Sequence, residues 1–170
     1  MLPSEALSRE FILPDTPDMS DLPAFTESRD ITTHGVLVGN IGLLLPRQEA
    51  SELISGLVVC RLPNTADWFN GVTSVRGNMI PLFDLHALFG IAHEGVKRRS
   101  IIVGEGETAV GFWVDDMPRM ISLTADDGMT SVPPIPRMIR EHSRHYYLKD
   151  GQIWVDWDVQ AFFKTLGNQL

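Results

Sequence analysis

What constrains this chain most is its punctuation. Apolar runs of about five residues are each closed by glycine or proline, too short for a globular helix and suited to the strands of a small barrel or sandwich. With 14 glycines and 11 prolines in 170 residues, such breaks recur along the chain. In the first half the runs span 35–39, 41–45, 53–59 and 79–83. Pro46, Pro63 and Pro81 stand at their edges or in turns, where a missing N–H does least harm.

In the second half, runs 101–103 and 110–114 flank the turn-like Gly104-Glu105-Gly106-Glu107 and predict a hairpin, with 120–123 continuing it as a third strand. The proline loop 132–136 excludes regular pairing. Beyond it, Asp150-Gly151 between runs 146–148 and 153–157 is the strongest short hairpin signal in the chain. Three short helices complete the pattern. One covers 85–89, with Asp84 as its N-cap and Gly90 ending it; a turn or two lies within 137–144; the last covers 159–166, with Asp158 as its cap and Gly167 just past its end. The expected fold is all-β with minor helices.

Composition sets the outer bounds. At 44% apolar and 21% charged, the chain has ordinary globular usage. Folding a domain of this size removes about 70% of the surface its unfolded chain exposes, so a core needs no staple. The single cysteine, Cys60, can form neither an internal disulfide nor a four-cysteine zinc site, which suits a reducing cytosol, and it is expected to be a small buried hydrophobe.

A net charge of −8 lacks the basic face that counterion release requires, so nucleic acid is not an expected partner. Residues 1–30 hold seven acidic and two basic side chains, giving −5, together with four prolines, and are expected to be a flexible acidic extension ahead of a domain over 31–170. The longest uncharged apolar stretch, 36–46, is far short of the roughly 20 residues of a membrane span. No basic region followed by an apolar run opens the chain. A cytoplasmic protein without direct membrane insertion is expected.

Chemistry-bearing constellations are sparse. His142 and His145, three apart, could share a helical face, but no acidic or cysteine ligand stands beside them at a zinc spacing. No local signature places a base near Cys60. Asp115-Asp116 and Asp126-Asp127 are adjacent carboxylates, which point to opposite sides of a strand rather than share a site. Neither phosphate-loop pattern is present. The residues therefore predict no catalytic site, metal or cofactor, and leave a protein-binding domain as the default. A small-molecule-sensing barrel and a hydrolase using His142, His145 or the carboxylates stand as alternatives.

The spacing carries one resemblance. Val36-Leu37-Val38-Gly39 followed by Leu43-Leu44-Leu45-Pro46 resembles the opening F-x-L-G-x-x-x-Y-A-I-P of CheW-like domains, the coupling proteins of bacterial chemosensory arrays. Glu52-Leu53-Ile54 resembles that family's E-V-I, and Pro63, Trp68 and Gly71 stand where it has P, W-x-x-G. Most specific is the segment from Val75-Arg76-Gly77 through Ile80-Pro81 to Asp84-Leu85, similar to L-R-G-x-v-I-P-v-x-D-L. Ile101-Ile102-Val103 and the run from Gly111 to Asp115 continue it in order, so the resemblance spans roughly 35–166. Ala50 stands where the family usually has valine, and Ser74-Val75 where it has Asn-Leu.

The resemblance implies two intertwined small five-stranded, SH3-like β-barrels enclosing a hydrophobic groove. It implies a non-enzymatic adaptor: one surface docks the regulatory domain of a CheA-type histidine kinase, and the groove binds the helical tip of a chemoreceptor. Carried over by position, the partner-binding residues are Ala50, Glu52, Gly71, Arg76, Gly77, Gly111 and Met117. For Arg76 the plainer alternative is a surface ion pair, and Asp84 is read as a helix cap. The acidic extension and the Trp154/Trp157 end resemble the PilI-like variant of type IV pilus twitching systems. Flagellar and pilus output both remain open at this point.

An acidic, proline-containing segment buries too little apolar surface to offset its ordering entropy. Deleting residues 1–30 should therefore leave the thermal unfolding midpoint nearly unchanged; a large fall on truncation would show that the segment docks on the domain.

Overall fold

A computed structural model describes residues 30–92 and 98–170, so the acidic extension lies, apart from Asp30, outside the described residues. The described chain runs β1 (Ile31–Val38), β2 (Ile41–Leu44), β3 (Ser51–Ile54), β4 (Val59–Cys60), β5 (Phe69–Val75), β6 (Asn78–Phe83), α1 (Leu85–Phe89), β7 (Arg99–Val103), β8 (Val110–Val114), β9 (Arg119–Leu123), α2 (Arg137–Glu141), β10 (Ser143–Lys149), β11 (Gln152–Trp157) and α3 (Val159–Gly167). The fold is mostly β with minor helices.

Two sheets form, with orders β10-β11-β2-β1-β9 and β3-β7-β8-β6-β5-β4. The second has five strands plus the two-residue β4. The middle of the chain builds one sheet and its two ends build the other, so the sheets are intertwined through crossings at β2–β3 and β8–β9. Each contains one parallel pair, β11 with β2 and β6 with β8, among antiparallel neighbours.

Both sheets curl back on themselves. In the first, Lys149 Nζ, on outer strand β10, donates to the Ser122 carbonyl on the opposite outer strand β9 at 2.5 Å and stands 3.6 Å from Asp127. In the second, Arg76 at the tip of the β5–β6 hairpin reaches Glu52 on outer strand β3. Both hairpin tips put two successive residues at positive φ, the type I′ pattern that matches strand twist: Asp150 and Gly151 at 50° and 76°, Arg76 and Gly77 at 48° and 81°.

The core has three parts. Leu44, Leu123 and Trp154 fill the first barrel, and Ile80, Ile102 and Ala109 fill the second. The largest cluster lies between the barrels and draws on both, with Val36, Leu43 and Trp157 from the first, Phe83, Phe112 and Val114 from the second, and Phe162, Phe163 and Leu166 from α3. Asp158 caps α3 as expected, its Oδ1 accepting from the Ala161 N–H at 3.0 Å.

Several expectations are corrected. Run 120–123 does not extend the β7–β8 hairpin; β9 pairs with β1, Ile31 opposite Leu123. The cause is a long-range contact: directly after β8 the Asp115 N–H is taken by the Leu37 carbonyl on β1, which turns the chain into the other sheet. Run 53–59 breaks into two strands around Gly56, whose φ is 71°. Strand β5, not expected, follows from alternate burial of Phe69, Gly71 and Thr73 in a stretch where Asn70 and Ser74 dilute the apolar signal. Gly167 is the last residue of α3 rather than its stop. Cys60 is exposed on the short edge strand β4, not buried.

Trp154 lies flat against Gly35 and Gly42, where a β-carbon on either glycine would fall inside van der Waals contact of the indole. Gly42→Ala should therefore lower the free energy of unfolding by about 1–3 kcal/mol, the usual cost of overpacking. Urea titration checks this; an unchanged midpoint would mean that the ring does not need the glycine.

Candidate functional site

The β5–β6 turn follows from its sequence. Gly77 takes positive φ freely, whereas Arg76 takes it at a cost that its ion pair helps to hold. Arg76 Nη2 donates to Glu52 Oε1 at 2.5 Å, and the pair is well exposed. The hydrogen bond that Arg76 donates to Glu52, reinforced by the carboxylate's charge, holds the guanidinium above its ordinary pKa. The ion pair absent from the sequence neighbourhood of Arg76 thus comes from a residue 24 positions earlier, itself one of the expected site residues.

Ala50, Glu52 and Arg76 line one cavity of about 260 Å³ at the end of the second barrel, whose apolar wall is Val75, Ile80, Ile102 and Ala109. Gly77 completes the turn above it. Any β-carbon on Gly77 would meet nothing within 4 Å, so its requirement is the backbone angle alone and not close approach. Of the seven expected residues, these four come together.

The other three do not join them. Gly71 sits at φ 126° under β4, where a β-carbon would run into the Cys60 carbonyl, so its place is dictated by strand packing. Gly111 is buried on β8; a β-carbon there would lie 2.7 Å from Ile102 Cδ1 and 2.9 Å from Leu82 Cδ1. It supports the cavity from beneath through Ile102. Met117 is 55% exposed in the β8–β9 crossing.

Next to that crossing runs a groove of about 460 Å³ between the two sheets, with Leu45, Leu53 and Ile101 on its floor and Pro118 and Met120 on its wall. Met120 is 70% exposed and stands opposite His34 in the β1–β9 register. Sequence reasoning did not single it out, nor the exposed Met79 on β6 and Val58 beside β4. The signal was available only in part: an apolar residue on the polar side of an alternating strand can be recognised once the register is known.

Several polar groups singled out in the sequence have structural partners. Asp84 caps α1 as expected, accepting from the Ala87 N–H at 3.1 Å, and also takes Arg98 at 2.7 Å. His142 and His145 share no helical face, because α2 stops at Glu141. His142 bonds the Met138 carbonyl and Thr165, while His145 lies on β10 with its Nδ1 3.5 Å from Asp156. Arg119 and the Met117 N–H hold the Asp116 carboxyl below its usual range, and the Thr124 N–H does the same for Asp127. Among the described residues no group of three or more His, Cys, Asp or Glu side chains is placed to hold a metal, and no helix is long and apolar enough to cross a membrane.

Known proteins resemble this arrangement. Residues 35–166 match the family model of the CheW-like domain. A chemotaxis protein CheW of Helicobacter pylori is 24% identical over 115 residues, covering 66% of this chain and 67% of its own length. Protein PilI of Pseudomonas aeruginosa is 26% identical over 135 residues, covering 78% and 75% respectively. The crystal structure of scaffolding protein TtCheW from Thermoanaerobacter tengcongensis shares the fold, with a TM-score of 0.66 at 20% identity over 82% of this chain and 96% of that one. With most of its length matched and both curled sheets in place, the chain belongs to the CheW-like domain family.

Proposed function

We propose that this chain is a non-enzymatic adaptor that couples a chemoreceptor to a CheA-type histidine kinase, in chemotaxis or in type IV pilus twitching motility. The observation that carries this reading is the convergence of Arg76 with Ala50 and Glu52, the latter 24 residues earlier in sequence, on one exposed barrel end. Family membership supports the coupling role, and the similarity to both CheW and PilI relatives keeps both outputs in view.

In this reading the barrel end and the groove between the sheets serve different partners. The kinase's regulatory domain docks through an apolar patch and covers Arg76, which serves as a desolvated anchoring side chain within it. A receptor's helical tip lies in the groove, against Leu45, Leu53 and Met120. The adaptor works in the cytoplasm and reaches the inner membrane only through receptor arrays. Interfaces of this kind draw most of their energy from a few desolvated residues, with exposed rim charges adding little.

Two variants in a reconstituted receptor–kinase assay separate fold from function. Arg76→Ala should shift the thermal midpoint by less than about 3 °C, while weakening coupling about 10-fold or more, as the loss of a hot-spot arginine does. Gly77→Val should damage both, because a β-branched residue is poorly tolerated at φ 81°. Kinase binding should also weaken only modestly as salt rises to about 0.5 M. The proposal fails if Arg76→Ala unfolds the domain while Gly77→Val is silent in both assays, or if binding collapses with salt.

A further inference from the structure

Only four residues, Asp115 to Pro118, carry the chain from β8 in one sheet to β9 in the other. Met120 stands two residues beyond, on β9, and together Pro118 and Met120 form the wall of the groove. A short exposed crossing with Met117 standing out, and Met120 exposed on the strand just beyond it, would ordinarily lose order, because each fixed residue costs about 1–2 kcal/mol of backbone entropy. The first residue of the crossing is bound on three sides.

The Asp115 N–H donates to the Leu37 carbonyl at 2.9 Å. Its Oδ2 accepts the Gly39 N–H at 2.5 Å, from the β1–β2 turn, and its Oδ1 lies 2.7 Å from His86 Nε2 on α1. His86 is 2% exposed and has Asp84, the α1 cap, 3.7 Å away on its other side. One carboxylate therefore ties the crossing to a turn of the first sheet and to a helix that follows the second. The next residue fixes the loop from within: Asp116 accepts from the Met117 N–H at 2.8 Å and from Arg119 at 2.9 Å.

We propose that Asp115 is a positioning residue for partner binding: through Gly39 and His86 it holds the Met117–Met120 segment as a preformed wall, so that an apolar helix entering the groove does not bear the cost of ordering it. This rests on the reading of the groove as the site for a receptor's helical tip. Charge-assisted hydrogen bonds in a partly buried position are strong enough for the task, and preorganisation of this kind raises affinity without adding contacts. Asp115 touches no partner itself; Pro118 and Met120 do.

The test uses the full chain with Asp115→Ala and Asp115→Asn, a helical-tip fragment of a chemoreceptor as probe, and methionine-methyl NMR. Asp115→Ala should bind the fragment about 10-fold more weakly, equivalent to about 1.4 kcal/mol. The Met117 and Met120 methyl signals should sharpen toward those of mobile methionine, while Met79, exposed on β6 away from the crossing, stays unchanged. Asparagine can accept from Gly39 and donate to His86, so Asp115→Asn should bind within about threefold of the wild type, well inside the 10-fold step that 1.4 kcal/mol makes. Unmoved Met117 and Met120 signals in Asp115→Ala, or undiminished affinity alongside mobile methionines, would overturn the proposal. If Asp115→Ala does not fold, hydrogen exchange in the wild type decides: a Gly39 amide as protected as those of β8 supports the tie, and one exchanging at open-loop rates refutes it. Failure of the wild-type chain to bind the fragment would instead sink the reading of the groove, while the methyl signals still judge Asp115.

Discussion

The structure depends on an aromatic contact between elements that neither barrel could supply alone. Phe163, on α3, stacks on Phe112 of the second sheet at 5.5 Å, meets Phe83 at 4.9 Å and reaches Trp157 of the first sheet at 5.9 Å. Each such side chain contributes about 1.5–3 kcal/mol by leaving water, and here the same burial counts toward both sheets. The barrels' own cores are small, three buried residues each with a few partly buried neighbours. The shared cluster between them is what makes two marginal barrels one stable body. Because the chain's ends form one sheet and its middle the other, neither can be removed without opening this cluster.

With the shared core at the centre, the barrel ends and the β8–β9 crossing lie at the surface. The two hairpin tips close their barrels with a basic side chain, Lys149 in one and Arg76 in the other, so each closure sits where solvent and partners can reach it. The inner glycines have another role. Gly71 and Gly111 let strands and side chains pack closely, and a β-carbon there would collide with the Cys60 carbonyl or with Ile102 and Leu82. This divides the family-derived residues into those that shape the domain and those that face outward, a distinction that motif matching alone does not make.

Much of the fold was legible because it rests on local chemistry. Asp84 and Asp158 cap their helices, and Asp150-Gly151 takes the two positive φ angles that its hairpin needs. What escaped was set by distant partners. The destination of β9 depends on the Leu37 carbonyl capturing Asp115, and the ion pair of Arg76 depends on how far the second sheet curls. Cys60 is exposed because apolar character does not by itself ensure burial, and a two-residue edge strand has little to bury it. Of the site, the cluster of Ala50, Glu52, Arg76 and Gly77 could be found through the family's motifs, while the groove wall at Met120 needed the register of β1 and β9.

The central claim is that one core serves both barrels, and residue-resolved unfolding measures it most directly. In a denaturant titration followed by amide NMR, the native signals of Leu43 in β2 and Ile80 in β6 should vanish at the same midpoint. Phe163→Ala should lower both midpoints together, at a cost of about 3–5 kcal/mol for a buried phenylalanine. Two separated midpoints in the wild type, or a Phe163→Ala effect confined to one sheet, would contradict the account and mean that the barrels are independent units joined by the chain alone.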